Sequence, residues 1–256
     1  MRRRNPCGRR CAERAAFDYD LGGVSASATR AFANRVRLPD QAYGGVVSKR
    51  VLVLHSGGMD STTCLYKAHR DGAQVLSLGI NYGQRLAVEL MFAQRHCDLL
   101  GIQREVITVN WRKPERAIPT GRTVDEMRAG ISPAFLPSRN ALFLTLASAH
   151  AAGVGAEEVH IGINSVEFSG YPDCTPAFLE SFTAMMAIAN PGGPRLIAPL
   201  IDMDKPQIAA LARDLGIGEH DTWSCYRPNL ATGAVAPCGV CDACRLHDHA
   251  WRSITR

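Results

Sequence analysis

The sequence predicts an α/β protein: a parallel sheet of about five strands with helices on both faces, followed by a small cysteine-rich element near the C-terminus. Three observations predict it. From residue 50 onward, short apolar runs rich in β-branched residues alternate with stretches of helical period. The first of these runs breaks at a Ser-Gly-Gly turn that opens directly into a helix pattern, and four cysteines fall close together late in the chain. Strands that alternate with helices of this length imply a parallel sheet covered on both faces.

The five strand candidates are VLVLH (51–55), QVLSLGI (74–80), REVITV (104–109), EEVHIGI (157–163) and RLIAPLI (195–201). Between them, the stretch 87–101 places Leu90, Phe92, Ala93, Cys97 and Leu100 near one helical face, with Gly101 as a stop signal. Segments 140–152, 176–189 and 204–215 read the same way. Ligands of such sheets gather beyond the carboxyl ends of the strands.

The 256 residues carry a net charge of +5, but eleven of the 29 basic and only four of the 24 acidic residues lie in positions 1–50. The remaining 18 bases and 20 acids give the body of the chain a charge of −2. Residues 1–48 therefore read as a basic, disordered extension, 49–222 as the main domain, and 223–256 as the cysteine-bearing element. A body at −2 does not advertise a nucleic-acid surface. No apolar stretch approaches the length of a bilayer span, so a soluble protein without membrane partners is expected. Nine cysteines without a signal-peptide pattern point to a reducing, cytoplasmic setting.

The turn SGGMDS (56–61) sits after the first strand and before a helix. There glycines let backbone amides approach phosphate oxygens while the helix N-terminus adds partial positive charge. Neither the Walker spacing nor the G-x-G-x-x-G fingerprint is present. Ser56 and Ser61 offer hydroxyl donors, and Asp60 can cap the helix or help hold magnesium against phosphates. The same letters also suit an ordinary strand-to-helix turn.

The segment resembles the S-G-G-x-D-S loop of the PP-loop ATP pyrophosphatases, whose fold is adenine nucleotide alpha hydrolase-like. That resemblance implies ATP binding along His55, Ser56, Gly57, Gly58, Met59, Asp60, Ser61, Thr62, Thr63, Cys64 and Leu65, with Asp60 catalytic. NYGQR (81–85), FLPSRN (135–140), GINSVEFSGYPDC (162–174), TWSCY (222–226) and CGVCDAC (238–244) narrow it further. Together they resemble the 7-cyano-7-deazaguanine synthase family, in matching order from about residue 50 to about 246. The substrates implied are 7-carboxy-7-deazaguanine, ammonia and ATP with magnesium, and a homodimer is the family expectation.

A planar base bearing a carboxylate needs an aromatic face, edge hydrogen bonds and a cation. Tyr82, Gln84, Arg85, Arg139, Asn140, Ser169, Gly170, Tyr171 and Asp173 are the substrate-site candidates, and Arg139 and Lys205 are expected to offset phosphate charge during transfer. The reaction implied adenylates the carboxylate, forms the amide with free ammonia, and dehydrates it to the nitrile with a second ATP. Three positions depart from the family pattern: Leu86, Glu167 and Thr175 stand where His, Asp and Arg are usual. They keep open a relative that hands the activated acid to another amine.

Cys225, Cys238, Cys241 and Cys244 have two short spacings, C-x2-C-x2-C, that suit a closed tetrahedral zinc site, structural because sulfur fills every position. An iron–sulfur cluster is the competing occupant. A tRNA thiolase of the same superfamily would use it, and a zinc module without catalysis would leave the Ser-Gly-Gly loop idle. His247 and His249 are expected at the surface.

Overall fold

The computed structural model describes residues 48–84, 88–165, 170–229 and 235–255. Arg85, Leu86, Glu167, Ser169 and almost all of the N-terminal extension lie outside them. In chain order the regular elements are β1 (Arg50–Leu54), α1 (Met59–Arg70), β2 (Gln74–Asn81), α2 (Val88–Leu100), β3 (Gln103–Thr108), α3 (Val124–Arg128), α4 (Arg139–Val154), β4 (Glu158–Ile161), α5 (Pro176–Ala189), β5 (Arg195–Ile197), α6 (Lys205–Asp214) and α7 (Asp242–Ile254). Short 3-10 turns cover Pro172–Cys174 and Glu219–Asp221.

The five strands form one parallel sheet in the order β3-β2-β1-β4-β5, with Leu52 of β1 paired to Leu76 of β2 and Val159 of β4. The five expected strands are all present, and the last two are shorter than the apolar runs that announced them. Residues 162–165 and 198–201 leave the sheet and continue as loops beyond its carboxyl edge. Pro199, without an amide hydrogen, cannot extend the β5 ladder.

Strand periodicity divides β1 between two cores. Val51 and Val53 join Leu65 and Cys64 of α1, Ile208 and Ala212 of α6, and Trp251 of α7 on one face. Leu52 and Leu54 join Leu144 and Ala147 of α4 and Phe182 of α5 on the other. Leu52 is fully buried, and truncating such a leucine to alanine typically costs about 2–5 kcal/mol.

Helix ends follow local chemistry. Thr123 and Asp204 each form a capping box, with Glu126 and Gln207 respectively. Thr175 caps α5 by accepting from the Phe178 amide, with Pro176 next to it in the first turn, so this departure from the family pattern has a structural use. Ala250 and Trp251 of α7 are buried in the same core as β1. The expected C-terminal element thus shares a core with the main sheet.

Candidate active site

The strand order reverses at β1, between β2 and β4, and a crevice opens beyond the carboxyl ends of such strands. Residues 55–61 cross it. Gly57 adopts φ +96°, a conformation that glycine takes without the Cβ penalty. Ser56 Oγ and Ser61 Oγ lie 3.0 Å apart, Ser61 Oγ donates to the Gly58 carbonyl at 3.2 Å, and the Gly58 amide donates to Ser56 Oγ at 3.3 Å. The first-turn amides of α1 follow at once, without intrahelical acceptors. Gly162, after β4, passes so close that an added Cβ would sit 2.8 Å from the Ser61 nitrogen.

Asp60 is the second residue of α1, and its Oδ2 accepts from Lys205 Nζ and, at 3.0 Å, from Asn164 Nδ2. Lys205 reaches it from the start of α6, so a carboxylate and a cation from distant parts of the chain meet at the loop's exit. Both bonds fall on the same oxygen.

Behind the loop, His55 is buried with Nδ1 3.1 Å from Ser77 Oγ and Nε2 3.1 Å from Thr62 Oγ1. Burial first, then the charges of Arg104 and His96, push its pKa well below the usual histidine range and keep the ring neutral. Arg104 of β3 crosses β2 over Gly79, where a Cβ would lie 2.4 Å from Nη2, and donates to Ser77 Oγ at 2.8 Å and to the His55 carbonyl at 3.1 Å. The last carbonyl before the Ser-Gly-Gly turn is thereby fixed from below.

The opposite wall comes from β2, α2, α4 and the 170–174 turn. The Tyr82 ring stacks on Trp111 at 6.0 Å and 30° and lies 5.3 Å from Phe143. Tyr171 meets Phe135 edge-on, and Gly170 accepts from the Ser132 amide at 3.0 Å, which locks the turn against residues 130–132. Arg139, at the start of α4, is opposed by burial but surrounded by Tyr82, Tyr226, Tyr171 and Asp173, and these neighbours hold its guanidinium firmly charged. Asp173 Oδ2 accepts from the Asn140 amide at 3.1 Å and so caps α4. That cap replaces the preceding Ser138, whose left-handed backbone makes no side-chain cap. Glu89 of α2 also faces the cavity, and its Oε1 accepts from Gln84 Nε2 at 3.0 Å. Burial raises its pKa, partly offset by Arg139 and the Gln84 hydrogen bond.

The two walls and a third side from the C-terminal element enclose a cavity of about 300 Å³. Trp223 closes on the loop, its amide donating to the Gly57 carbonyl at 2.9 Å. Asp242, bound by Arg122, and His247 complete the lining. Next to this side, the sulfurs of Cys225, Cys238, Cys241 and Cys244 all lie within 4.8 Å of one another and can hold a metal ion. Backbone amides of Arg227 and Cys238 donate to Cys225 Sγ, each at 3.3 Å, an arrangement that favours a thiolate there.

A family profile described as "Queuosine biosynthesis protein QueC" matches residues 50–255. The chain belongs to this family. It is 59% identical over 206 residues to "7-cyano-7-deazaguanine synthase 2" of Rhodopseudomonas palustris (strain HaA2), covering 80% of this chain and 98% of that one. It is 41% identical to "7-cyano-7-deazaguanine synthase" of Anaeromyxobacter sp. (strain Fw109-5), over 78% of this chain and 90% of the relative. Among solved structures, "U34-tRNA thiolase NcsA from Methanococcus maripaludis with its [4Fe-4S] cluster" aligns at a TM-score of 0.45 and 14% identity, covering 78% and 67% of the two chains. Nothing about the chemistry of this chain follows at that distance.

In this QueC-family chain the sequence-based candidates separate by depth. Ser56, Gly58, Met59, Asp60 and Ser61 line the cavity, as do Tyr82, Arg139, Asn140, Tyr171 and Lys205. Thr62, Thr63, Cys64 and Leu65 do not, because they are buried where α1 packs on the sheet. His55 borders the cavity, but its ring nitrogens are both spent on Ser77 and Thr62. Gln84, Gly170 and Asp173 brace the walls from behind. His247 corrects the surface expectation: it is half-buried, with Nδ1 3.2 Å from Ser224 Oγ and Nε2 2.9 Å from the Glu219 carbonyl. His249 is exposed, as expected. Glu89 and Asp242 were missed, since each reads in sequence as an ordinary first-turn acid of a helix.

Proposed function

We propose that this chain makes 7-cyano-7-deazaguanine from 7-carboxy-7-deazaguanine and ammonia at the expense of ATP, as a carbon–nitrogen ligase. One observation carries the reading. The Ser-Gly-Gly loop and the wall of Tyr82, Tyr171 and Arg139 open into the same cavity. A carboxylate held at the wall therefore lies beside a nucleotide seated on the loop, which supplies the proximity that adenylation needs.

The phosphates sit on the first-turn amides of α1 and the Ser56 and Ser61 hydroxyls. Lys205 adds positive charge from the far side, and Asp60 is the residue that would hold a magnesium ion, which would neutralise phosphate charge. The deazaguanine ring lies among Tyr82, Phe143 and Tyr171, with Arg139 directed to its carboxylate. Adenylation exchanges a carboxylate oxygen that cannot leave for AMP, which can. Ammonia displaces AMP to give the amide, and a second ATP activates the amide oxygen so that the nitrile forms.

The cysteine cluster fits zinc. A tetrahedron with bonds of about 2.3 Å has sulfur edges of about 3.8 Å. Cys238 and Cys244 sulfurs are 3.9 Å apart. A cubic cluster, with each thiolate on a different iron, spreads its ligands further. The role is structural: it ties the Trp223 side of the cavity to α7.

The test is one incubation with 7-carboxy-7-deazaguanine, ammonium, magnesium and ATP, followed by mass spectrometry. Nitrile with AMP is expected. Amide without nitrile would limit the activity to its first stage, and no AMP would overturn the reading.

A further inference from the structure

Ammonia near neutral pH is ammonium, and ammonium has no lone pair with which to attack. An enzyme that uses it must remove a proton inside the cavity, so a base is required beyond the groups that hold the two substrates. Among the described residues lining the cavity, the carboxylates are Asp60, Glu89 and Asp242, and the histidines are His55 and His247. Asp60 is bound by Lys205 and Asn164, and Asp242 by Arg122. His55 spends both ring nitrogens on buried hydroxyls. His247 spends its own on Ser224 and the Glu219 carbonyl. Glu89 remains.

Its position suits the task. The backbone of Glu89 packs against Gly57 of the phosphate loop, while its side chain lies near Tyr82 and Arg139 of the opposite wall. It stands at the junction of the two subsites, where the activated carboxyl carbon must lie. Arg139 offsets part of the Glu89 charge, but in the proposed complex it is directed to the substrate carboxylate, which leaves Glu89 to a second cation. Ammonium is the small cation of this reaction.

We infer that Glu89 binds ammonium and takes its proton, so that ammonia forms beside the acyl adenylate. This rests on the proposed function above. Glu89 carboxylate accepts one proton and the freed lone pair forms the C–N bond. The C–O bond to AMP breaks with its electron pair leaving on AMP, and the second proton shed by nitrogen passes to water. Gln84 and Tyr82 from the segment after β2, and Arg139 from α4, are the groups that face Glu89. Burial makes this carboxylate more basic than an exposed one, in the direction proton acceptance needs.

The test separates the two half-reactions in the full chain with Glu89→Gln, which keeps the side chain's shape and an oxygen for Gln84. Rapid quench should show acyl adenylate formed at close to the wild-type rate, while amide formation from ammonium falls by about 10²- to 10⁴-fold. Hydroxylamine, uncharged at neutral pH, needs no such base, so the variant should trap the adenylate as hydroxamate as fast as the wild type. Glu89→Asp should regain part of the ammonium-dependent rate, and it carries the comparison if the glutamine variant folds poorly. Unchanged amide formation overturns the inference, and so does an equal loss with both nucleophiles, which would mark Glu89 as structural. A wild-type chain that forms no adenylate fails at the earlier step and overturns the proposed function together with this role.

Discussion

The Ser-Gly-Gly loop depends on Gly57 for two separable reasons, and substitution by alanine tests both. Its φ of +96° disfavours any Cβ, a strain of about 1–2 kcal/mol. The second reason is space: a Cβ would lie 2.0 Å from the Glu89 carbonyl oxygen and 2.8 Å from the Ala93 amide nitrogen. Both are backbone atoms of α2, so no rotamer change relieves the clash. Ordinary contact requires a displacement of more than about 1 Å between loop and helix, and misplacement on that scale can lower catalysis about 10²-fold. Gly121→Ala is the control, since Gly121 has φ +77° with nothing within 4 Å of its would-be Cβ and pays only the conformational strain. Urea denaturation and pyrophosphate release under saturating ATP read the two effects. Gly121→Ala should lose about 1–2 kcal/mol with unchanged turnover, whereas Gly57→Ala should lose more stability and about 10²-fold in adenylation. Wild-type adenylation by Gly57→Ala would refute the claim that this packing sets the loop.

Asp60→Ala removes the partner of Lys205 and Asn164 and should lower AMP release by at least about 10²-fold while leaving the urea midpoint nearly unchanged; steady-state AMP measurement decides it. Cys241→Ser should lose the bound metal and melt well below the wild type, checked by elemental analysis and calorimetry; retained metal at full stability would contradict the structural role. His96 is buried between the Tyr66 hydroxyl at 2.9 Å and the Asp221 carbonyl at 2.8 Å, and burial lowers its pKa to about 4. Below about pH 6.5 the unfolded chain therefore binds a proton that the folded chain refuses, so stability falls with pH, by about 3 kcal/mol between pH 6.5 and 4. Urea midpoints across that range should fall less steeply for His96→Gln, and parallel profiles would exclude His96 as a source.

Local signals were enough for the elements whose letters carry their own chemistry. Alternating Val and Leu in residues 51–54 fixes a strand with two buried faces, and Ser-Gly-Gly before a helix pattern marks the strand-to-helix turn. Two short cysteine spacings mark a metal site without any knowledge of the fold. The strand ends were less legible, because the apolar runs continue through Ile163 and through residues 198–201, whereas the chain leaves the sheet after Ile161 and Ile197. Thr62 to Leu65, which the loop resemblance includes in the nucleotide stretch, are buried where α1 packs between the sheet and its neighbours, and no local pattern shows that.

By itself, then, the sequence determined the layered α/β class and the four-cysteine cluster, because strand and helix periods and short cysteine spacings are local patterns, and it determined the family through several blocks spread over residues 50–246. Only the tertiary structure decided which side chains share a cavity. Asp60 and Lys205 stand 145 positions apart, yet they meet because α1 and α6 both begin at the same end of the sheet. Likewise Asp173 became a cap for α4, His247 a lining residue and Glu89 a carboxylate between two subsites. Such roles depend on which helix termini the parallel crossovers bring to one edge, and no local pattern encodes that.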